Sequence, residues 1–109
     1  MSYRESIRQI TETLKTKYKP EKIILFGSCV AGKVTRNSDI DMLIVKATKR
    51  PYGQRWLEVG RIVRNIDRGL PFEPIIVTPD ELRRELDGNL FLQEILRKGK
   101  VLYAKNQLH

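Results

Sequence analysis

Apolar residues at Tyr3, Ile7, Ile10, Leu14 and Tyr18 recur at helical intervals, which places them on one stripe of an α-helix. Ser2 and Glu5 precede that stripe with capping-box spacing, and Pro20 closes the segment. The pattern then changes. Ile23-Ile24-Leu25-Phe26 is a short apolar run ending in Gly27-Ser28, as expected of a strand that delivers a tight turn. A brief helix or turn through Ala31-Gly32 leads to Asp39, and Ile40-Asp41-Met42-Leu43-Ile44-Val45 reads as a second, buried strand. A long helix is expected from about Tyr52 to Asp67, with Val59, Ile62, Val63, Ile66 and Leu70 as its core stripe. Phe72 to Val77 reads as a third strand, and Pro74, which cannot donate to a ladder, marks it as an edge. Thr78-Pro79-Asp80-Glu81 starts a helix, and a further helix spans about Phe91 to Arg97 and stops at Gly99. Val101-Leu102-Tyr103 is a candidate last strand. The order is helix, strand, helix, strand, helix, strand, helix. It predicts an α/β chain of the α+β type, with a small mixed sheet covered by helices.

Length and composition narrow this picture. The 109 residues carry no internal repeat or dividing linker, so one domain over 1–109 is expected. An apolar fraction of 40% and a charged fraction of 31% suit a compact, well-charged globule. No apolar run is long enough to span a membrane, and the N-terminus lacks the apolar core of a signal peptide; a cytoplasmic location is the default expectation. Cys29 is the single cysteine, which excludes an internal disulfide; beside the turn it reads as a small packing residue. The net charge of +8 attracts anions: nucleotides, nucleic acid or an acidic partner. Arg61, Arg64 and Arg68 lie off the apolar stripe and would serve RNA, an acidic partner or simply water. Trp56 is expected in core or interface packing, with base stacking as its alternative, and His109 is merely terminal.

The candidate chemistry lies between the first two strands. Gly27-Ser28 alone is a turn and a helix cap as readily as a binding loop. Ten residues separate Ser28 from Asp39, and one separates Asp39 from Asp41. Positions two apart on a strand face one side, so the two carboxylates converge. Like charges that close repel unless a cation intervenes, and oxygen ligands at that density suit Mg²⁺ or Mn²⁺. Glu73, near the start of the next strand, offers a third carboxylate; three such groups on neighbouring strands match two-metal phosphoryl chemistry. Taken singly, Asp39 could cap a turn, Asp41 could sit on a solvated strand face, and Glu73 could be a plain edge-strand residue.

Together, Gly27-Ser28, ten residues and Asp39-x-Asp41 at the ends of two strands resemble the minimal nucleotidyltransferase family of the DNA polymerase β superfamily. The stretches Thr78-Pro79-Asp80-Glu81-Leu82 and Gly99-Lys100-Val101-Leu102-Tyr103 resemble it too, so the likeness covers most of the chain. The resemblance implies that Gly27 and Ser28 bind the nucleotide's terminal phosphates, that Asp39 and Asp41 bind both metals, and that Glu73 is the third catalytic and metal-binding carboxylate. It implies Mg²⁺, with Mn²⁺ as the substitute, and ATP as nucleoside triphosphate. The implied reaction moves a nucleoside monophosphate to a hydroxyl. The chain is too short for the extra domains with which relatives hold tRNA, poly(A) tails or aminoglycosides, so the acceptor is expected on a separate molecule. Stand-alone members of the family are paired with a small helical HEPN-type ribonuclease toxin. The implied role is that of its antitoxin, by transfer of AMP to a toxin tyrosine. The chain departs from the family in two places. Many relatives have Arg-x-Arg-Gly after Gly-Ser; here stand Cys29-Val30-Ala31-Gly32, with Lys33 and Arg36 as the nearest substitutes. The third carboxylate is a Glu followed by Pro74 rather than the more usual Asp. These departures keep open a non-catalytic antitoxin or adaptor acting by contact. Direct nucleic-acid binding rests on charge alone.

Overall fold

The computed structural model describes residues 2–67 and 69–105; Arg68 and His109 fall outside them. Helix α1 (Tyr3–Lys17) is capped by Ser2, whose side chain accepts from the Glu5 N–H. Glu5 does not complete a reciprocal box but turns its carboxylate to Arg8, with Nε 3.1 Å from Oε1. Lys19 takes a positive φ of 55° and donates its N–H to the Leu14 carbonyl, so the chain turns away before Pro20. Strand β1 (Lys22–Phe26) runs into the four-residue helix α2 (Ser28–Ala31) and, past a polar loop, into β2 (Ile40–Val45). Then follow α3 (Tyr52–Val63), β3 (Phe72–Val77), α4 (Pro79–Leu86), α5 (Leu90–Lys98) and β4 (Lys100–Ala104).

The sheet has the order β3-β2-β1-β4. β1 pairs antiparallel with both β2 and β4, and β2 pairs parallel with β3, so the expected mixed sheet is present. Strand alternation divides its side chains between two faces. Ile23, Leu25, Ile40, Met42, Ile44 and Ile76 pack with Ile10 and Leu14 of α1 and Val59 and Val63 of α3. Ile24, Leu43, Val45 and Val77 pack with Leu92 and Ile95 of α5. Gly99 sets how closely α5 meets β1: a Cβ there would lie 2.5 Å from Ile24 Cγ2.

One expectation changes. The third helix ends at Val63 rather than near Asp67. Ile66 and Leu70 still pack on the α1/α3 core, but from the connection to β3, so their spacing imitated a helix that does not continue. The candidate last strand is a full edge strand, β4. Both helices expected after β3 are present, as α4 and α5. The placement of Pro74 holds: β3 is an edge strand, tied at its start by the Ile40 N–H donating to Pro71 O at 2.7 Å.

Candidate active site

The first functional element is the turn at the end of β1. Gly27 has φ +80° and ψ −154°, a conformation L side chains rarely adopt. A Cβ there would also fall 2.4 Å from Asp41 Oδ2. Both facts require glycine and show that the turn backbone lies against the Asp41 carboxylate. Gly27 is the N-cap residue of α2 and Ser28 its first helical residue, so Ser28 is not the cap its alternative reading supposed. The first N–H groups of any helix have no partner within it, and those of α2 follow directly on the turn that lies against Asp41.

The carboxylates come from β2 and β3. Asp41 stands opposite Phe26 in the antiparallel register and beside Glu73 in the parallel register. Asp41 alternates with Leu43 and Val45, and Glu73 with Ile75 and Val77, so both point to the α5 face. Asp39 precedes β2, in a loop pinned by the buried Ser38, whose hydroxyl accepts from the Thr35 N–H at 2.8 Å. Asp39 and Asp41 are half-buried and Glu73 is exposed. Burial pushes the Asp41 carboxyl up to about 6, and the charges of Asp39 and then Glu73 push in the same direction. Asp41 therefore senses both neighbouring carboxylates, as a group among like charges must.

Among the described residues, no three carboxylate, thiol or imidazole groups stand together as a ready-made cage for a metal. Mg²⁺ does not require one, because it is commonly held by one or two carboxylates, water and substrate phosphates. The donor chemistry fits: hard oxygen ligands, unneutralised like charge around Asp41, and the Gly27 turn beside it.

The other candidates sort themselves by position. Cys29 packs against the α1/α3 core and its Sγ donates to Asp39 O at 3.5 Å. Burial, then Asp41 and Asp39, push its thiol up, which suits a packing residue and not a nucleophile. Lys33 and Arg36 are exposed on the loop between α2 and β2. Arg61 and Arg64 are exposed on α3. Trp56 is 47% exposed, so it is not a core residue, and the interface packing expected as the other form of its role is left to a partner. It lines a groove with Phe72 and Pro74, on the α3 side of the sheet and away from Asp41.

Two features escaped the sequence. Arg55 is buried, with Nη1 and Nη2 on the Glu81 carboxylate at 2.8 and 3.0 Å and Nε on Arg50 O at 2.7 Å. It clamps α3 to α4, and nothing in the local pattern distinguishes it from its exposed neighbours. The second is a cleft of about 550 Å³ between the Gly27 turn, α2 and α5. Its one sequence signal was Phe91, an aromatic residue beyond the number α5 needs for its buried stripe.

Comparison with known proteins agrees with this geometry. The family described as Polymerase beta, Nucleotidyltransferase matches residues 8–108. A Methanocaldococcus jannaschii protein named "Putative protein adenylyltransferase" is 32% identical over 110 residues, covering 94% of this chain and 100% of that protein. The crystal structure of a "putative nucleotidyltransferase" from Sulfolobus solfataricus superimposes with TM-score 0.63 at 19% identity, over 94% of this chain and 81% of that one. A structure described as a toxin-antitoxin with AMP-PNP superimposes with TM-score 0.55 at 22% identity, over 98% of this chain and 77% of that one. At those identities the two structures establish the shared fold.

Proposed function

Because the chain belongs to the polymerase beta nucleotidyltransferase family, we propose that it transfers a nucleoside monophosphate, AMP from ATP in the first instance, to a hydroxyl. The observation that carries this reading is Asp41 beside Glu73 on one sheet face, with the Gly27 turn closed onto Asp41. The N–H groups at Gly27 and Ser28, with the Ser28 hydroxyl, are suited to the terminal phosphates, where helix-start donors favour negative charge. Asp39, Asp41 and Glu73 would hold divalent ions, Mg²⁺ or Mn²⁺. Such ions, when bound, neutralise the phosphates and favour loss of the acceptor's proton. Glu73 is exposed on the edge strand, so an acceptor arriving from outside meets it before the deeper Asp41. A bond forms between the acceptor oxygen and the α-phosphorus, the bond from that phosphorus to the bridging oxygen breaks, and pyrophosphate leaves.

The acceptor is a tyrosine on a small helical HEPN-type protein, and this chain is its antitoxin. The relative named as a protein adenylyltransferase and the toxin-antitoxin neighbour with AMP-PNP support this choice. The competing reading is an antitoxin that works by contact alone. It is favoured by α2, which carries no basic residue where relatives have arginines to neutralise phosphates. Co-expression with the product of the adjacent gene, purification, and intact-mass analysis after incubation with ATP and Mg²⁺ separate the two. Transfer predicts AMP added to the partner, and loss of that addition in the Asp39→Ala and Asp41→Ala chains. A stable complex without added mass would leave the contact reading.

A further inference from the structure

The apolar cleft beside the phosphate turn has no role in the reading above. It is lined by Phe26, Val30 and Ala31 on one side and by Phe91, Glu94 and Lys98 of α5 on the other. Gly27 belongs both to this cleft and to the turn that closes on Asp41. A ligand whose phosphates lie at that turn therefore has the cleft immediately at hand. Phe26 is the register partner of Asp41, so the apolar lining adjoins the carboxylate within one strand pair.

Phe91 is 56% exposed, although an aromatic ring at the surface leaves a large apolar area in water. It meets Phe26 edge to face, with centroids 5.8 Å apart and planes at 83°. That contact fixes the ring while leaving much of it uncovered. The lining is strongly apolar, with Glu94 and Lys98 its only charged residues, and the volume lies within the range of small-molecule sites. A flat, largely apolar ring attached to a polyanion matches an apolar cleft that shares Gly27 with the turn. The other exposed aromatic considered for stacking, Trp56, is on the α3 side of the sheet and cannot serve the same ligand.

We propose that the cleft between Phe26, α2 and Phe91 is the nucleobase subsite of the nucleoside triphosphate, with Phe91 as the residue that stacks on the base. This inference rests on the phosphates lying at Gly27–Ser28. The protein thereby selects a nucleotide over a bare polyphosphate, and the base anchors the end of the substrate remote from the leaving group.

The test compares two ligands by titration calorimetry with Mg²⁺: ATP and inorganic tripolyphosphate. The Phe91→Ala chain should bind ATP about tenfold more weakly, the size of a lost base–aromatic stack, while tripolyphosphate affinity stays unchanged. Ala31→Trp, which fills the cleft, should weaken ATP in the same selective way, and Phe91→Trp should retain it. Thermal melts of all three confirm the fold, which an exposed ring and an exposed alanine do not control. Unchanged ATP affinity in Phe91→Ala and Ala31→Trp, with tripolyphosphate bound normally, would overturn the base subsite alone. A wild-type chain that fails to bind tripolyphosphate would strike the phosphate site at Gly27–Ser28, and the subsite with it.

Discussion

Asp41 lies between Phe26 and Glu73 in the sheet, half-buried, under a glycine turn that leaves its oxygen no room for a further methyl group. Its carboxyl titrates near 6 in the folded chain and near the ordinary 3.8 when unfolded. A raised folded value means that this group's stabilisation is complete below about 3.8 and is lost as the pH rises through 6. At neutral pH without a cation, Asp41 therefore works against folding. The Asp41→Asn chain should be as stable as the wild type at pH 3.5 and more stable at pH 7, by about 1 kcal/mol once solvent screening is allowed for. Urea unfolding at the two pH values measures this, and a variant that unfolds at pH 7 would make Asp41 structural. Gly27→Ala acts oppositely. It forces a Cβ into a positive-φ site and onto Asp41, costs about 1–3 kcal/mol, and should abolish nucleotide binding together with the stability loss. A Gly27→Ala chain of native stability and affinity would show that the turn relaxes freely.

Among the elements, those with a local cause were the legible ones. The α1 stripe, the β1 and β2 runs and the Thr78 cap follow from spacing and turn chemistry, and the Thr78–Glu81 box forms in both directions. The third helix was overextended because Ile66 and Leu70 reach the same core after the helix has ended. Arg55 was illegible for the same reason in reverse: its burial is decided by α4, 26 residues away in sequence. Glu81 read as a cap, and it is one, but it also receives Arg55 across the α3–α4 contact. That pairing, led by the Arg55 hydrogen bond, pulls the Glu81 carboxyl down to about 2. A lowered folded value gives stability that is present above about 4.5 and lost as the pH falls towards 2. Glu81→Ala should remove that acid-side slope and cost about 3–5 kcal/mol at pH 7, because it strands a buried guanidinium. Arg55→Met should cost less, since Glu81 keeps its Thr78 N–H and some solvent. Chemical denaturation of both variants from pH 3 to 7 checks this, and an Arg55→Met chain less stable than Glu81→Ala would reverse the assignment.

At the scale of the molecule, the sheet separates two tasks. Its α1/α3 face is closed by a continuous apolar core, whereas its α5 face is covered only in part, leaving the strand ends with Phe26, Asp41 and Glu73 open. Sequence spacing anticipated that Asp39 and Asp41 share a face and that Glu73 comes from the next strand, because residues two apart on a strand point the same way and Glu73 opens the following apolar run. It could not supply the register that sets Asp41 against Glu73, nor the approach of α5 that forms the cleft, since both depend on pairings distant in sequence. The net charge of +8 adds a field that draws polyanions towards such an opening. The central claim is that this opening is a metal-dependent nucleotide site built on Asp41. Its most direct test is calorimetric titration of ATP into wild-type and Asp41→Asn chains, each with Mg²⁺ and with EDTA. The account predicts binding to the wild type only with Mg²⁺, and none to Asp41→Asn under either condition while its melting temperature holds or rises. Equal ATP affinity with and without the ion, or unaltered Mg²⁺-dependent binding in Asp41→Asn, would contradict it.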